Sequence, residues 1–489
     1  MDTPTLDTPD TIATTLAGFV KHLRLDDVPP AVRLRAKHLM LDAIGCGLAA
    51  RRDAFAQHFS DATYALAADA PGKAGVVGYT RRLPVRDAAM LNGVLLHGLD
   101  YDDTHMGGVL HLSVSVLPAL LALSGQLALS GADVLAAYIA AAEAGARLAS
   151  AAAGGLHAQG FHPTGVIGVF ACTLAAGRVM GLSAAQLVHA QGAALSFASG
   201  SLQFIEDGAW TKRIHPGWAA QSGIVAATLA AHGVQAPQAP YTGRYGLYRS
   251  YLDESARAAV DITRATAALS ANGTGTVWET SNIAVKPYAM CHFVHAAIDA
   301  AIAIHRRGLD VASIRDIEVL VPAAAVQLVC EPVVRKRRPE NEYDAKFSLP
   351  YAVASGLMRG RLSLKELEPA AYRDPAIQML MDKVRYVEDA TSTFPRHYTG
   401  EVRVTLADGT LLQQREAVNR GHVDNPLGND DVQAKFMENA TLHYSPAHAR
   451  AISELVLAVD DLTDLGALET LLASDPPDAA PASRHGLPA

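Results

Sequence analysis

The chain has 489 residues, half of them apolar but only 6% aromatic, with 41 Lys and Arg against 49 Asp and Glu for a formal net charge of −8. An acidic chain lacks the Lys/Arg excess that neutralises a phosphate backbone, so no nucleic-acid partner is expected and any anionic substrate needs a local basic pocket. The length allows a large core and more than one domain, and apolar mass drawn mainly from Ala, Leu and Val favours packed helices over a β-sandwich.

The first ten residues, Met1 to Asp10, hold acids and prolines but neither a basic nor an apolar leader segment, so they do not read as a secretory signal. Helical patterning starts near Thr11. Pro29-Pro30 precedes a helix over 31–48, proline being tolerated in a first turn. Pro118 and Gln126 interrupt the apolar stretch after Ser113, and Arg178 the one after Gly165, so neither reads as a membrane span and no membrane partner is expected. Ser130-Gly-Ala-Asp133 opens a helix over 134–153 and Ser183-Ala-Ala-Gln186 one over 187–199, both in the pattern of a capping box. The segment 166–180 is apolar on nearly every side and predicts a helix in the middle of a bundle.

Composition shifts over 234–248, where Pro237, Pro240, Gly243 and Gly246 mark a long connection. A second domain is expected to start by about 271. Asn272-Gly273 reads as a turn, while Gly273-Thr-Gly275 is too short for a dinucleotide fingerprint. A helix over 292–307 ends at Gly308, a strand over 314–321 stops at Pro322, and 402–406 with 410–418 form a hairpin around Asp408-Gly409. Helical patterning returns beyond Asn429, with Ser445-Pro446 as cap and first residue of a helix over 447–459. The tail from Asp475, rich in Pro, Ala and Asp, has too little apolar surface to order itself. The expected fold is therefore mainly α: a large helical domain from both ends of the chain, residues 1–270 and 421–473, an inserted α+β domain over 271–420, and a disordered tail over 474–489. The four cysteines, Cys46, Cys172, Cys291 and Cys330, are scattered without C-x-x-C spacing, as expected of a reduced, cytoplasmic protein.

Between apolar flanks at 91–96 and 114–123 lie His97, Asp100, Asp102, Asp103, Thr104, His105, His111 and Ser113. Taken singly, each reads as a polar helix end, with Asp102 or Asp103 capping. Together they read as a site able to orient a general base or to ligate a metal.

The run from His97 to His105, followed by His111, resembles the signature of the MmgE/PrpD family. Four more stretches agree in order: Gly160-Phe-His162-Pro-Thr-Gly165, Thr211-Lys212-Arg-Ile-His215-Pro-Gly217, Ile283-Ala-Val-Lys286-Pro-Tyr-Ala and Asp344-Ala-Lys346-Phe-Ser-Leu-Pro-Tyr351. The resemblance covers nearly the whole chain. It implies a helical domain built from both chain ends, an inserted α+β lid domain, a homodimer, and a pocket between domains that acts on a small di- or tricarboxylate without metal or organic cofactor. Family activities include 2-methylcitrate dehydration, cis-aconitate decarboxylation and iminodisuccinate epimerisation. Carried over by motif, the active-site positions are Asp100, Thr104, His111, His162, Lys212, Lys286 and Tyr351.

These seven side chains form a coherent chemical set. Lys212 and Lys286 supply the positive charge that holds carboxylates. His111 or His162 moves the proton beside a carboxylate, Asp100 orients an imidazole, and Thr104 and Tyr351 donate to substrate oxygens. The plain alternatives are a solvated loop charge for Lys212, a surface lysine before Pro287 for Lys286, a core aromatic for Tyr351 and a loop-fixing residue for His162. Leu112 stands where the family commonly has proline, which favours His162 over His111 as the acid/base. His292 and His295 form an H-x-x-H pair without a third ligand and read as packing residues. A lyase is the expected enzyme. Tyr101-Asp102-Asp103-Thr104, in place of Trp-Asn-Asp-Thr, favours decarboxylase-like or epimerase-like branches over a propionate-pathway dehydratase. The competing expectations are a dicarboxylate epimerase, a metalloenzyme using Asp102, Asp103, His105 and His111, and a non-catalytic carboxylate-binding protein.

Overall fold

Small side chains let the helices of this chain approach closely, and helix dominates the fold. The computed structural model describes residues 11–68, 70–270 and 276–474. The expectations for 1–10, for Asn272-Gly273 and Gly273-Thr-Gly275, and for the tail from 475 lie outside the described residues. In chain order the elements used below are α1 (Pro30–Ala50), α2 (Val85–His97), α3 (Ser113–Ser124), α4 (Gly131–Ala151), α5 (Gly168–Val179), α6 (Ile214–Ala231), α7 (His295–His305), β1 (Ile314–Val321), α8 (Leu349–Arg359), β2 (Val384–Glu388), β3 (Gly400–Leu406), β4 (Leu411–Glu416), α9 (Asn429–Ala440) and α10 (Pro446–Leu457). They form a mainly α fold with few strands, the largest sheet among the described residues having four. Two compact units result, one running to Ile283 and resuming at Asn429, the other spanning Ala284–Gly428.

In the first unit α6 packs against α2 and α5, while α5 also meets α3 and α4. The helix starts follow the capping chemistry of the sequence. Ser130 Oγ accepts from the Asp133 N–H at 3.1 Å, and Ser183 and Gln186 form a reciprocal capping box. Ser445 caps α10, with Pro446 as its first residue. Although α4 is long and apolar enough to cross a membrane by length and composition alone, it is buried within this unit, where Glu143 and Arg147 pair at 2.5 Å. The proline- and glycine-rich segment 234–248 is pinned to the helices, since buried Tyr241 donates to Gln191 Oε1 at 2.8 Å. The returning α9 packs on α1, with Lys435 Nζ 2.6 Å from Asp42 Oδ1 and donating at 2.8 Å to the Tyr101 carbonyl. The C-terminal end of the chain thus braces the residue that precedes Asp102.

The second unit is built on a four-stranded sheet in the order β2-β1-β3-β4. β1 runs parallel to β2 and antiparallel to β3, with Val319 opposite Tyr386 on one side and Val402 on the other. Its Ile314, Ile317, Val319 and Val321 are buried, the alternation expected of a sheet with one face covered. The β3–β4 hairpin turns at Asp408-Gly409, where Gly409 has φ +90°. α7 lies against β3, β4 and α8. His295 Nε2 donates to the Met290 carbonyl at 3.1 Å, and its ring meets His292 edge-on at 4.7 Å, so the H-x-x-H pair packs as expected.

Candidate active site

Three chain turns in the first unit bring the polar residues together. α2 ends at His97 and the backbone reverses through Asp100, whose φ of +53° is a left-handed conformation in which Asp is among the less strained residues. His111 sits immediately before α3, its N–H donating to Thr164 Oγ1 at 3.0 Å. The short turn Trp210–Arg213 carries Lys212 into the start of α6. Arg213 fixes that turn by donating to the Gly98 carbonyl at 2.8 Å and stacking its guanidinium over Phe55. Leu112, in place of proline, is buried at the head of α3 and its backbone is helical.

The centre of the cluster is a buried carboxylate between two imidazoles. His97 Nδ1 lies 2.9 and 3.1 Å from the two Asp102 oxygens, and His111 Nδ1 lies 3.1 Å from Asp102 Oδ2. His111 Nδ1 also approaches the Asp103 carbonyl at 2.6 Å. A carbonyl oxygen only accepts, so that nitrogen carries the proton. His111 Nε2 then holds the lone pair and lies 4.0 Å from Asp100 Oδ1, beyond hydrogen-bond distance. The other Asp100 oxygen pairs with Lys212 Nζ at 2.8 Å, and Thr104 Oγ1 is 3.4 Å from His111 Nδ1.

His162 completes the cluster, its ring stacked on His97 at 5.8 Å and 6.0 Å from that of His111. Its Nδ1 is 2.9 Å from Nδ1 of His215 at the start of α6, so one ring donates to the other. Burial lowers His97 to about 4 and His215 to about 4, and burial together with the charge of Lys212 holds His162 well below the ordinary imidazole value. Burial pushes Asp102 upward, but the adjoining His97 and His111 outweigh it and hold the carboxyl well below the usual range. Asp103 behaves oppositely. Burial and the neighbouring Asp102 charge raise it to about 8, Ser113 Oγ donates to its Oδ2 at 2.7 Å, and Tyr138 OH lies 2.5 Å from the same serine oxygen. Adjacent acids in one turn are therefore shifted in opposite directions.

Of the seven carried-over positions, Asp100, Thr104, His111, His162 and Lys212 converge here. Lys286 and Tyr351 belong to the second unit, both buried. The Tyr351 hydroxyl donates to the Glu366 carbonyl, its ring stands edge-on to Tyr372 at 6.3 Å, and burial raises it to about 12. Three groups among the described residues have ligand atoms within 4.8 Å of one another and could hold a metal ion: His97, His111 and His162; His97, Asp100, Asp102 and His111; and, away from this cluster, His397, His422 and Asp424. Two members of the ligand set considered from sequence are engaged elsewhere: Asp103 with Ser113, and His105, whose Nε2 is 3.0 Å from Glu279 Oε2 and whose Nδ1 accepts from the Gly108 N–H. Three direct partners lie outside the seven carried-over positions: His97 and Asp102, both within the polar cluster read as a site from sequence, and His215, for which sequence alone pointed to no role. All three stand inside the motif runs, but the pairing of His215 with His162, 53 residues away, has no local signal in sequence.

Residues 14–259 match the MmgE/PrpD N-terminal domain and residues 288–461 the MmgE/PrpD C-terminal domain. The chain is 29% identical to a cis-aconitate decarboxylase of Aspergillus terreus, over 94% of this chain and 95% of that protein. It is 28% identical to a cis-aconitate decarboxylase of Homo sapiens over 96% of each chain. A 2-methylcitrate dehydratase of Cupriavidus necator is 28% identical over 32% of this chain and 34% of its own. The two domain matches together span most of the sequence and take in all seven motif positions except Lys286, which falls in the gap between them, and on that ground the chain belongs to the MmgE/PrpD family.

Proposed function

We propose that the protein is a decarboxylating lyase that acts on an unsaturated tricarboxylate of the cis-aconitate type, with His111 as the group that carries the proton. The observation that supports this most is the state of His111: Nδ1 is committed to the Asp103 carbonyl, and Nε2 is left beside the Asp100–Lys212 pair. End-to-end similarity to relatives named cis-aconitate decarboxylase, against a partial match to a dehydratase, favours decarboxylation over loss of water.

The reaction balances with one proton and no redox partner. The bond to the departing carboxylate breaks and its carbon leaves as CO2. The released electron pair forms a new double bond at the neighbouring carbon, and the far carbon of the original double bond takes a proton. Protonated His111 delivers it from Nε2 and regains it from solvent. An ammonium has three donors, and with Asp100 using one, Lys212 keeps others for a substrate carboxylate. His162, held toward its neutral form by burial and the Lys212 charge, serves as a hydrogen-bonding group and not as the proton donor, a reading that differs from the preference drawn from Leu112.

The test offers cis-aconitate, 2-methylcitrate and iminodisuccinate separately in deuterated buffer. CO2 release with one deuterium in the five-carbon product is expected from the first alone. Turnover confined to 2-methylcitrate, or deuterium exchange without CO2 on iminodisuccinate, would replace this reading with dehydratase or epimerase.

A further inference from the structure

We infer that Asp102 is a positioning residue: one buried carboxylate faces Nδ1 of both His97 and His111 and, together with the Asp103 carbonyl at His111, holds both rings in the Nδ1–H tautomer, so that each keeps its lone pair on Nε2. The catalytic part of this inference rests on His111 as the proton carrier, whereas the tautomer assignment stands on geometry alone. Neither Asp102 nor the two rings have much access to water, the side-chain exposures being 0% for Asp102, 0% for His97 and 10% for His111. An imidazole can exchange tautomers by trading protons with solvent. Where little water reaches the ring, its resting tautomer is set by whatever faces each nitrogen. Here a carboxylate faces Nδ1 of both rings, at 2.9 Å for His97 and 3.1 Å for His111.

The neighbours of Asp102 are arranged to keep its charge. Asp103, the adjoining acid, is turned to Ser113, whose Oγ donates to its Oδ2 at 2.7 Å, and its carboxyl is shifted upward by burial and by the Asp102 charge. Lys435 reaches the Tyr101 carbonyl, one residue away, and the Tyr101 ring lies under the same ammonium at 3.7 Å. On the other side of the His97 ring, Nε2 is buried and has no hydrogen-bond partner among the described residues. That is the state expected of a neutral ring whose only proton has been drawn to Nδ1. A protonated Nε2 in the same place would be an orphaned donor. While His111 carries the transferring proton, the ring is cationic, and Asp102 stands 3.1 Å from it as the counter-charge.

The distinction from a merely structural buried acid lies in the tautomers. The experiment records nitrogen-15 spectra of the histidine-labelled full chain, with His97 and His111 assigned through His97→Gln and His111→Gln. Both rings are expected to show protonated Nδ1 and bare Nε2 at neutral pH. A resting Nε2–H form at either ring would overturn the inference without any variant of Asp102 having to fold. In Asp102→Asn the new carboxamide accepts from one ring only and offers an N–H to the other. Because the Asp103 carbonyl still holds the His111 proton, the switch is expected at His97, while kcat on cis-aconitate falls on the order of 10²- to 10⁴-fold through loss of the counter-charge to His111 and KM moves only a few-fold. A folded Asp102→Asn variant with unchanged tautomers and near-wild-type kcat, beside an inactive His111→Gln, would sink the role of Asp102 and leave His111 standing. An active His111→Gln would instead remove the proton-carrier reading, with the spectra still deciding the tautomers.

Discussion

Gly93 on α2 and Gly217 on α6 meet backbone to backbone: a methyl group added at Gly93 would lie 2.4 Å from the Gly217 Cα. That approach sets the spacing of the two helices whose ends carry His97 and His215. Gly217 is equally confined, since a Cβ there would fall 2.2 Å from the Met90 carbonyl oxygen. Gly93→Ala and Gly217→Ala should each cost about 1–3 kcal/mol or more, because over-packing here displaces main chain and not a flexible side-chain end. Gly18, within the helix Thr11–His22, has open space around its missing Cβ. Gly18→Ala should therefore stabilise by roughly 0.5–1 kcal/mol. Denaturant midpoints at constant slope would measure all three.

Asp103 gives a pH signature with a fixed sign. Its carboxyl is raised to about 8 in the fold, first by burial and then by the Asp102 charge, from an unfolded value near 3.9. A group raised in the native state contributes stability that is complete below the unfolded value and is lost as pH climbs through the folded one. Asp103→Asn removes this titration. The stability of the variant relative to wild type should therefore rise between about pH 4 and pH 8, approaching 1.4 kcal/mol per pH unit at most, roughly, and then level off. Parallel thermal or denaturant unfolding across that range measures the difference. A difference that stays flat would mean the acid is ionised in the fold.

Lys212→Ala should weaken binding of a carboxylate substrate by about 1.5–3 kcal/mol, the scale of hydrogen bonds to charged groups. Its ammonium is the cation paired with Asp100 at 2.8 Å, so the variant also leaves that carboxylate facing any incoming anion. Steady-state kinetics and ligand titration should agree on a raised KM, with a thermal melt to confirm that the variant is folded. Unchanged KM and kcat would remove Lys212 from the site.

Much of the first unit is legible in sequence because its signals are local. Ser183 and Gln186, three positions apart, specify a helix start with no help from distant residues, and Pro446 after Ser445 does the same. The strand at Ile314–Val321 and the turn at Gly409 follow from alternation and from a residue that tolerates positive φ. The division between units is less legible. Proline and glycine in 234–248 mark irregular backbone, yet buried Tyr241 ties that stretch to Gln191, a contact between residues 50 apart in sequence. The site shows the same split. His111, His162 and Lys212 stand out through motif resemblance, while His215 stands opposite His162 only once α6 is folded. The opposite shifts of Asp102 and Asp103 are invisible in sequence, because they arise from which acid meets imidazoles and which meets a serine hydroxyl.

The most direct measurement of the central claim is turnover of cis-aconitate by His111→Gln in deuterated buffer, followed as CO2 release and as deuterium in the product, with a thermal melt alongside. The account predicts a wild-type-like melt and a rate lower on the order of 10²- to 10⁴-fold, because the glutamine amide fills the space of the ring but cannot carry a proton. A folded variant that still releases CO2 within a few-fold of the wild-type rate would contradict it.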